Sequence, residues 1–294
     1  MKFLIKKKGV VLKIDPFIEY QKHDNYGNVI GDFCNRQVID NLIKLGYKHH
    51  GFTTGYTDEI QLRWSYYLDI NRSIEDIKKG MDQRCRRCIR KYEKYPLELV
   101  ILGNDDDISD FKEVMQSTAN RQNHFDRSLE YYKNLNNLLG DRSLLTIIYL
   151  DRNKYLKECT GDKLYDIVMN DKRKKIPISA GVFIFDKDKL NYVYGGTYKE
   201  YMPLMAQYKM QMEMIKLAMK RGLPIYDFGG ISGNFTPGSE NYGVYEFKRG
   251  FGGKVLEYIG EFDLILDRFG YYIYDIGYKL YRNTKKVIAK ILKR

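Results

Sequence analysis

The stretch from Ile225 to Leu264 reads IYDFGGISGNFTPGSENYGVYEFKRGFGGKVLEYIGEFDL, and the rest of the chain is best interpreted around it. Its first four residues, Ile225 to Phe228, are apolar or aromatic apart from one aspartate and predict a short strand. Glycines at 229, 230 and 233 then allow a tight turn, because glycine adopts positive φ without a Cβ clash. Pro237-Gly238-Ser239 continues the loop.

The second half of the stretch returns to an ordered segment. Residues 242–251 carry Phe247, Lys248 and Arg249 at their centre, and residues 254–258 alternate as a second strand does. Aromatic rings, two adjacent cations and free backbone N–H groups then lie at the mouth of a sheet. This combination suits an anionic or phosphate-bearing ligand.

The order of these segments, YDFGG-SG-F, then YG-YEFK-GFGG, then EYIGEFDL, resembles the C-terminal signature of the FemABX family. The segments Pro177–Gly181, Tyr194–Thr197 and Gln211–Ile215 are similar to further family segments, and the likeness runs in one order from Ile14 to Asp263. The resemblance implies a tRNA-dependent aminoacyltransferase that builds the interpeptide bridge of bacterial peptidoglycan.

The alternation of predicted strands and helices favours an α/β (α+β) fold, and the resemblance implies tandem GNAT-like (acyl-CoA N-acyltransferase-like) domains. We expect an incomplete first GNAT-like domain with a basic helix at 1–90, because the family's strand that matches residues 9–14 falls well inside that domain. We expect a second GNAT-like domain at 91–264 and a basic amphipathic C-terminal helix at 265–294. The family's coiled-coil arm is expected as a stub, a reduced insertion at 151–175.

The net charge of +12 favours a polyanionic partner: nucleic acid, an anionic membrane surface or phosphorylated substrates. Solubility alone is the other explanation of this charge. The four cysteines are scattered and no secretory leader precedes them, which favours a reduced cytoplasm. Cys85 and Cys88 form a CxxC, but they lie in a basic helical run without a second pair or a nearby histidine, so we predict no metal site.

That run belongs to a helix predicted over 73–94, with Ser73 as its N-cap. A solvated charged face and a contact with tRNA or substrate phosphates both explain its cations. These cations are Arg84, Arg86, Arg87, Arg90, Lys91 and Lys94.

The implied reaction is attack by an amine on the activated ester of aminoacyl-tRNA, which needs alignment, proton transfer and oxyanion stabilisation but no nucleophilic side chain. Lys248 is the first candidate catalytic residue, as a cation for an oxyanion or phosphate, and a solvent-facing lysine on a strand is its alternative. Phe247 offers a π face to a cation. Asp15 matches a family acid proposed as a base toward the acceptor amine; it also fits an ammonium-orienting role or a plain Asp-Pro turn.

Substrate-binding candidates come from the resemblance. Arg127 and Tyr131, predicted at i and i+4 of a helix over 125–139, resemble the pair that grips the muramyl-peptide through its phosphates, and a helix-surface pair is the alternative. Tyr201 matches a family tyrosine near the cleft, and Tyr198 is an equally close candidate. The family's lysine for the phosphate site has no counterpart here.

The expected function is transfer of an amino acid from aminoacyl-tRNA to the stem-peptide amine of lipid II or UDP-MurNAc-pentapeptide. We expect no cofactor, with aminoacyl-tRNA as co-substrate, because the acetyl-CoA loop Q/R-x-x-G-x-G/A is not found. We expect a cytoplasmic protein whose basic tail either docks on the protein or contacts the inner face of the membrane. Two alternatives stay open: a non-catalytic relative that binds full-length family members, and a nucleic-acid-binding module without transfer activity.

Overall fold

A computed structural model describes residues 2–56, 60–122 and 124–291. Within these residues, the strands are β1 (Val11–Ile14), β2 (Glu19–His23), β3 (Val29–Cys34), β4 (Tyr47–His49), β5 (Trp64–Asp69), β6 (Leu97–Leu102), β7 (Ser143–Asp151), β8 (Lys175–Phe185), β9 (Lys189–Thr197), β10 (Ile225–Gly230), β11 (Lys254–Tyr258) and β12 (Phe262–Ile265). The helices are α1 (Lys2–Lys6), α2 (Arg36–Lys44), α3 (Ile74–Gly80), α4 (Gln83–Tyr92), α5 (Ser109–Arg121), α6 (Leu129–Leu139), α7 (Arg152–Glu158), α8 (Tyr165–Asn170), α9 (Ala206–Lys220), α10 (Tyr242–Arg249) and α11 (Arg268–Ile291). This mixture confirms the predicted α/β class.

One large sheet organises the described residues. Its nine strands run in the order β3-β2-β11-β5-β10-β9-β8-β7-β6, and a three-stranded sheet, β1-β12-β4, lies beside it. Strand β5 lies between β10 and β11, so the large sheet takes strands from both sides of residue 90. The division of the chain into domains at that residue stays a prediction.

The sheet opens where β10 leaves β9. The two strands pair in parallel only from Ile225 to Asp227, whereas β9 continues its pairing with β8 as far as Thr197. On the other side, the register between β10 and β5 shifts between Asp227 and Gly230. The glycine turn after β10 therefore lies at a split in the sheet, where side chains can face a cleft.

Alternating apolar residues in the central strands bury both faces of the large sheet. On β7, Leu145 and Ile147 belong to one hydrophobic cluster, with Phe111 of α5, while Ile148 and Leu150 belong to the other. The cluster that contains Ile148 and Leu150 also holds buried apolar residues of α9 and α4, such as Met210 and Ile89. Helices α4 and α9 thus pack on one face of the sheet and α5 on the other.

Several predicted elements are confirmed in kind but differ in extent. The helix predicted over 73–94 is two helices, α3 and α4, because Met81 is extended and each helix has its own cap. Ser73 Oγ accepts a hydrogen bond from the Asp76 N–H at 3.1 Å, as predicted, and Asp82 Oδ1 accepts one from the Cys85 N–H at 2.6 Å. The helix predicted over 125–139 begins only at Leu129, since Ser128 caps it.

The alternative interpretation of Lys248, a solvent-facing lysine on a strand, is wrong, because the residue is buried and lies in a helix. Residues 242–249 form α10, which begins after Asn241 in the left-handed region, at φ 63°. Tyr242 and Tyr245 share one side of the helix and touch edge to face, with ring centroids 5.8 Å apart. A short aromatic run has a high strand propensity, but here tertiary packing determines the conformation.

The insertion between β7 and β8 holds two short helices, α7 and α8. The C-terminal helix α11 begins at Arg268, and residues 292–294 of the predicted tail lie outside the described residues. The Tyr271 hydroxyl attaches its first turn to Asp263 at 2.8 Å, whereas Phe269 is 75% exposed. None of the helices in the described ranges contains an apolar segment long enough to span a bilayer.

Candidate active site

Two adjoining cavities, of about 330 and 420 Å³, lie against the large sheet, where β10 and its neighbouring strands line them. The residues that line both are Phe17, Asp186, Lys189, Asp227 and Tyr258. Gln61, Ser65, Asn191, Gly229 and Gly230 line the smaller one in addition. The cleft that they form is polar on one wall and aromatic on the other.

Asp227 is the central acidic group of the cleft. Its Oδ1 accepts hydrogen bonds from Ser65 Oγ and from the Gly229 N–H, both at 2.8 Å. Its Oδ2 is 3.0 Å from Lys189 Nζ. The ammonium of Lys189 also lies 5.2 Å from the centroid of the Phe17 ring. The cleft thus presents an oriented carboxylate beside a cation held by a π face.

Lys189 and Asp227 were missed at the sequence level. The only signal was the position of Asp227 directly before Phe228 and two glycines. Lys189 lies 38 residues earlier, and only the parallel pairing of β9 with β10 brings it near. No local pattern carries that information.

Lys248 lies on the other side of the glycine turn. Its Nζ donates hydrogen bonds to Gly229 O at 3.1 Å and Gly230 O at 2.7 Å, and only 6% of the residue is exposed. Burial lowers the pKa of Lys248 to about 7, although Asp227 nearby favours the charged form. Lys248 lines neither of the two cavities, and its contact with the cleft runs through the carbonyl groups of the turn.

The turn itself tolerates no side chain. Gly229 has φ 76°, and a Cβ there would lie 2.7 Å from Tyr192 O. A Cβ on Gly230 would lie 2.2 Å from Leu62 Cδ1. The predicted need for glycine at both positions therefore has a physical basis, in φ for the first and in close packing for the second.

Asp15 lies beside the cleft and is tied to one of its walls. Gln61 donates to it twice, from the backbone N–H to Oδ2 at 3.1 Å and from Nε2 to Oδ1 at 3.0 Å. Burial raises the pKa of Tyr258, and Asp227 and Asp15 raise it further. Two carboxylates, Asp15 and Asp227, therefore raise the pKa of the same phenol, that of Tyr258 in the cleft.

Phe247 points to a different region from the cleft. Its ring contacts Tyr208 of α9, with centroids 5.0 Å apart, and Phe251, with centroids 5.5 Å apart. It lines neither cavity. Of the aromatic residues in the two cavities, Phe17 is the one that lies over a cation.

Arg127 and Tyr131 do lie together, although Arg127 precedes α6 rather than belonging to it. The guanidinium lies over the Tyr131 ring at 5.1 Å, and the Tyr131 hydroxyl is 3.5 Å from that of Tyr194. The hydrogen bond with Tyr194 raises the pKa of Arg127. Tyr194 follows Asn191 of the cleft by three residues on β9, or about 10 Å of strand.

The two tyrosine candidates differ in their surroundings. Tyr201 is 3% exposed and its hydroxyl donates to Asp171 Oδ2 at 3.4 Å. Tyr198 lines a separate cavity of about 540 Å³ with Lys112, whose Nζ donates to Arg127 O at 2.7 Å. Of the two, Tyr198 is the one whose cavity adjoins the Arg127 region.

One group of three side chains in the described ranges has the spacing of metal ligands: His50, Glu261 and Asp263, whose ligand atoms lie within 4.8 Å of one another. A cation of the protein is already present there. Lys13 Nζ is 2.5 Å from Glu261 Oε1 and 2.9 Å from Asp263 Oδ1. The acidic pair is thus compensated by an ammonium that joins β1 to β12.

Comparison with known proteins identifies the family. The FemAB family model matches residues 1–165 and 160–279. The chain belongs to the FemAB family. This confirms the resemblance drawn from the signature stretch.

Curated relatives are also similar over most of the chain. Aminoacyltransferase FemA of Staphylococcus epidermidis (strain RP62A) is 28% identical, and the alignment covers 97% of this chain and 77% of the relative. FemA of Staphylococcus aureus (strain bovine RF122) is 28% identical over 89% of this chain and 72% of its own length. These relatives support aminoacyl transfer as the type of reaction in this member of the FemAB family.

The crystal structure of FemX has the same fold. It matches with a TM-score of 0.75 at 24% identity, covering 92% of this chain and 76% of that one. The predicted GNAT-like class is consistent with this likeness. The overall fold of this chain is therefore one already seen in the crystal structure of FemX.

Proposed function

We propose that the protein transfers an aminoacyl group from aminoacyl-tRNA to the stem-peptide amine of a peptidoglycan precursor, lipid II or UDP-MurNAc-pentapeptide. In this reaction the acceptor nitrogen forms a bond to the aminoacyl carbon, and the ester bond to the tRNA 3′ end breaks. The proton lost by the amine leaves with the tRNA hydroxyl, so no cofactor is needed. Membership of the FemAB family and relatives named aminoacyltransferases support this proposal.

The observation that carries the proposal is the buried Lys248 behind the glycine turn of the cleft. An ammonium there holds the Gly229 and Gly230 carbonyls and keeps the turn in one conformation. It also places positive charge in a region of low dielectric, where charge stabilises a developing oxyanion more strongly than in water. We assign it to alignment of the donor ester and stabilisation of the oxyanion.

The acceptor amine arrives as an ammonium and must lose a proton before it attacks. Asp227, with Asp15 beside the cleft, offers carboxylates that attract the ammonium, and Lys189 lies next to Asp227. A carboxylate beside a cation is a weak base, so its stronger contribution is orientation of the amine. Arg127 and Tyr131 are assigned to the phosphates of the precursor, for which a planar guanidinium is suited.

The test is transfer of a radiolabelled amino acid from charged tRNA to muramyl-pentapeptide precursors, supplied separately as the lipid-linked and the soluble form. Wild type, Lys248→Met and the control Lys220→Met on the exposed side of α9 are compared. If transfer is lost only in Lys248→Met, the result supports both the proposed function and the role assigned to Lys248. Equal transfer by all three proteins rejects the role of Lys248, and no transfer by folded wild type favours a non-catalytic partner of full-length relatives.

A further inference from the structure

A separate basic groove, the α4 groove, lies between α4 and the loop that follows α7. It has a volume of about 610 Å³ and is lined by Arg87, Arg90, Lys91, Lys94 and Tyr95 on one side. Residues 158–162 form the other side. The cavities of the candidate active site share none of these residues.

The cations of α4 divide into two groups. Arg84 pairs with Glu246 of α10, and Arg86 donates to the backbone oxygens of Lys79 and Met81, so both stabilise the fold. Arg87, Arg90 and Lys94 are exposed and form no ion pair with any residue in the described ranges. Arg87, Arg90 and Lys94 are therefore available to a bound anion, whereas Arg84 and Arg86 are occupied by contacts within the protein.

The opposite side of the groove carries two acids, Asp162 and Glu158, against the four cations, so the lining keeps a net positive charge. Asp162 accepts hydrogen bonds from the Tyr95 hydroxyl at 2.9 Å, the Tyr155 hydroxyl at 2.6 Å and the Leu164 N–H at 3.0 Å. Burial raises the pKa of Asp162, but these hydrogen bonds outweigh it and leave the pKa lowered. Glu158 remains as the one further acid lining the groove, against four cations.

The spacing of the cations fits a chain of phosphates better than a single one. Arg87 to Lys94 covers seven residues, which is about 10 Å of helix. Successive phosphates of a nucleic-acid strand follow one another every 3.4 Å or so along its axis, so several lie within that length. The wall is polar and cationic, which favours RNA over an apolar partner.

We propose that the α4 groove binds the sugar–phosphate backbone of the tRNA donor, away from its aminoacylated end. This inference rests on the proposed function for the identity of the RNA. The fold connects the two sites: the Asp82 N–H donates to Gly250 O at 2.9 Å, directly after α10, and α4 runs from there to the groove. The tRNA body lies along α4 while its 3′ end reaches the cleft.

The experiment measures binding of deacylated tRNA by fluorescence anisotropy between 50 and 200 mM KCl. The triple variant Arg87→Gln/Arg90→Gln/Lys94→Gln is compared with a charge-matched control, Lys44→Gln/Lys187→Gln/Lys220→Gln, whose lysines are exposed elsewhere. We expect the first variant to bind at least tenfold or so more weakly, with a salt slope smaller by about 2. The control should change both quantities much less. Equal effects of the two variants, or no binding by wild type at 50 mM KCl, would overturn the proposal.

A shortened donor separates this inference from the proposed function. An aminoacylated CCA trinucleotide lacks the backbone that the groove binds, so the α4 variant should use it as well as wild type does. With full-length tRNA the same variant should show a raised KM and a nearly unchanged kcat. Weakened tRNA binding without transfer from either donor would reject the proposed function and support the groove. Transfer from the trinucleotide together with unaltered tRNA binding by the variant would support the proposed function and reject the role of the α4 groove.

Discussion

Lys13 and Lys248 are two amines whose surroundings differ in charge. Lys13 joins β1 to β12 and lies against two carboxylates, Glu261 and Asp263. Lys248 lies against two backbone carbonyls. Burial lowers the pKa of both, but at Lys13 the hydrogen bonds to the carboxylates outweigh burial and raise it, whereas at Lys248 burial prevails and the pKa is about 7.

The comparison shows how the same functional group serves stability in one place and chemistry in another. A lysine opposite two carboxylates keeps its charge throughout the physiological range and compensates buried acids. A lysine buried against carbonyl groups changes protonation near neutral pH because burial disfavours its charged form, and this is the property expected at a reaction centre. The two lysines differ in partner charge and also in depth of burial, since 25% of the Lys13 side chain is exposed but only 6% of Lys248.

The largest expected effect on stability comes from Lys13→Met. Glu261 and Asp263 keep only 5% and 2% of their side chains exposed, so removal of their cation leaves buried charge uncompensated. We expect a loss of about 3–5 kcal/mol in the free energy of unfolding. Urea denaturation at pH 7 measures it, with the exposed Lys44→Met as the control. A loss below 1 kcal/mol or so would show that His50 alone compensates the pair.

Lys248→Met should produce the opposite pattern. The change removes a cation that is costly to bury, although it leaves two carbonyls without a donor, so we expect the unfolding free energy at pH 7 to change by less than about 1 kcal/mol. Transfer should fall by about 10²–10³ in kcat, the range for loss of an oxyanion-stabilising donor. Urea denaturation measures the change in unfolding free energy, and steady-state kinetics measure the change in kcat. A variant that loses both stability and activity would place Lys248 with Lys13 as a structural residue.

The pH dependence of stability sharpens the contrast. Because the pKa of Lys248 is near 7 in the folded protein and 10.5 ordinarily, the unfolded chain binds more protons between these values, and stability rises with pH. We expect wild type to gain on the order of 2 kcal/mol over Lys248→Met from pH 7 to pH 9. Lys13 contributes no such change between pH 7 and pH 9. Because its pKa is raised above 10.5, the stability that its charge contributes is lost only at higher pH. Denaturation of wild type, Lys13→Met and Lys248→Met at both pH values checks this, and equal slopes in all three would contradict it.

The pH dependence of transfer assigns the active form of Lys248. The rate ratio of wild type to Lys248→Met cancels the ionisation of the acceptor amine, which both proteins share. If the ammonium acts, the ratio falls as pH rises from 6 to 8 through the pKa of about 7. Initial rates with saturating precursor measure it. A ratio that rises over this range would instead show that the neutral amine of Lys248 acts, as a general base.

The smallest effect is expected at Lys189, whose ammonium lies in the cleft and is partly solvated. Lys189→Gln breaks the 3.0 Å pair with Asp227, which keeps its bonds to Ser65 and Gly229. We expect kcat/KM to fall roughly fivefold, which corresponds to a loss of about 1 kcal/mol in transition-state stabilisation. The exposed neighbour Lys187→Gln serves as the control. No difference between these two variants would exclude Lys189 from the site.

The sequence by itself determined those features that depend on local spacing. Alternation and apolar runs predicted most strands and helices, Ser73 was recognised as an N-cap, and the signature around β10 indicated the family. It also located the glycine turn, since the φ of Gly229 and the close contact at Gly230 require residues without a side chain. These signals are local because backbone conformation and periodic burial are properties of neighbouring residues.

Only the tertiary structure decided how distant groups meet. The pairing of Lys189 with Asp227 depends on the parallel register of β9 and β10, and the low pKa of Lys248 depends on the packing of α10, which buries its amine. The same holds for Phe247, which packs on α9, and for the division of the α4 cations into paired and unpaired groups. Burial and electrostatic partners are set by contacts between segments far apart in the chain, and no local pattern encodes them.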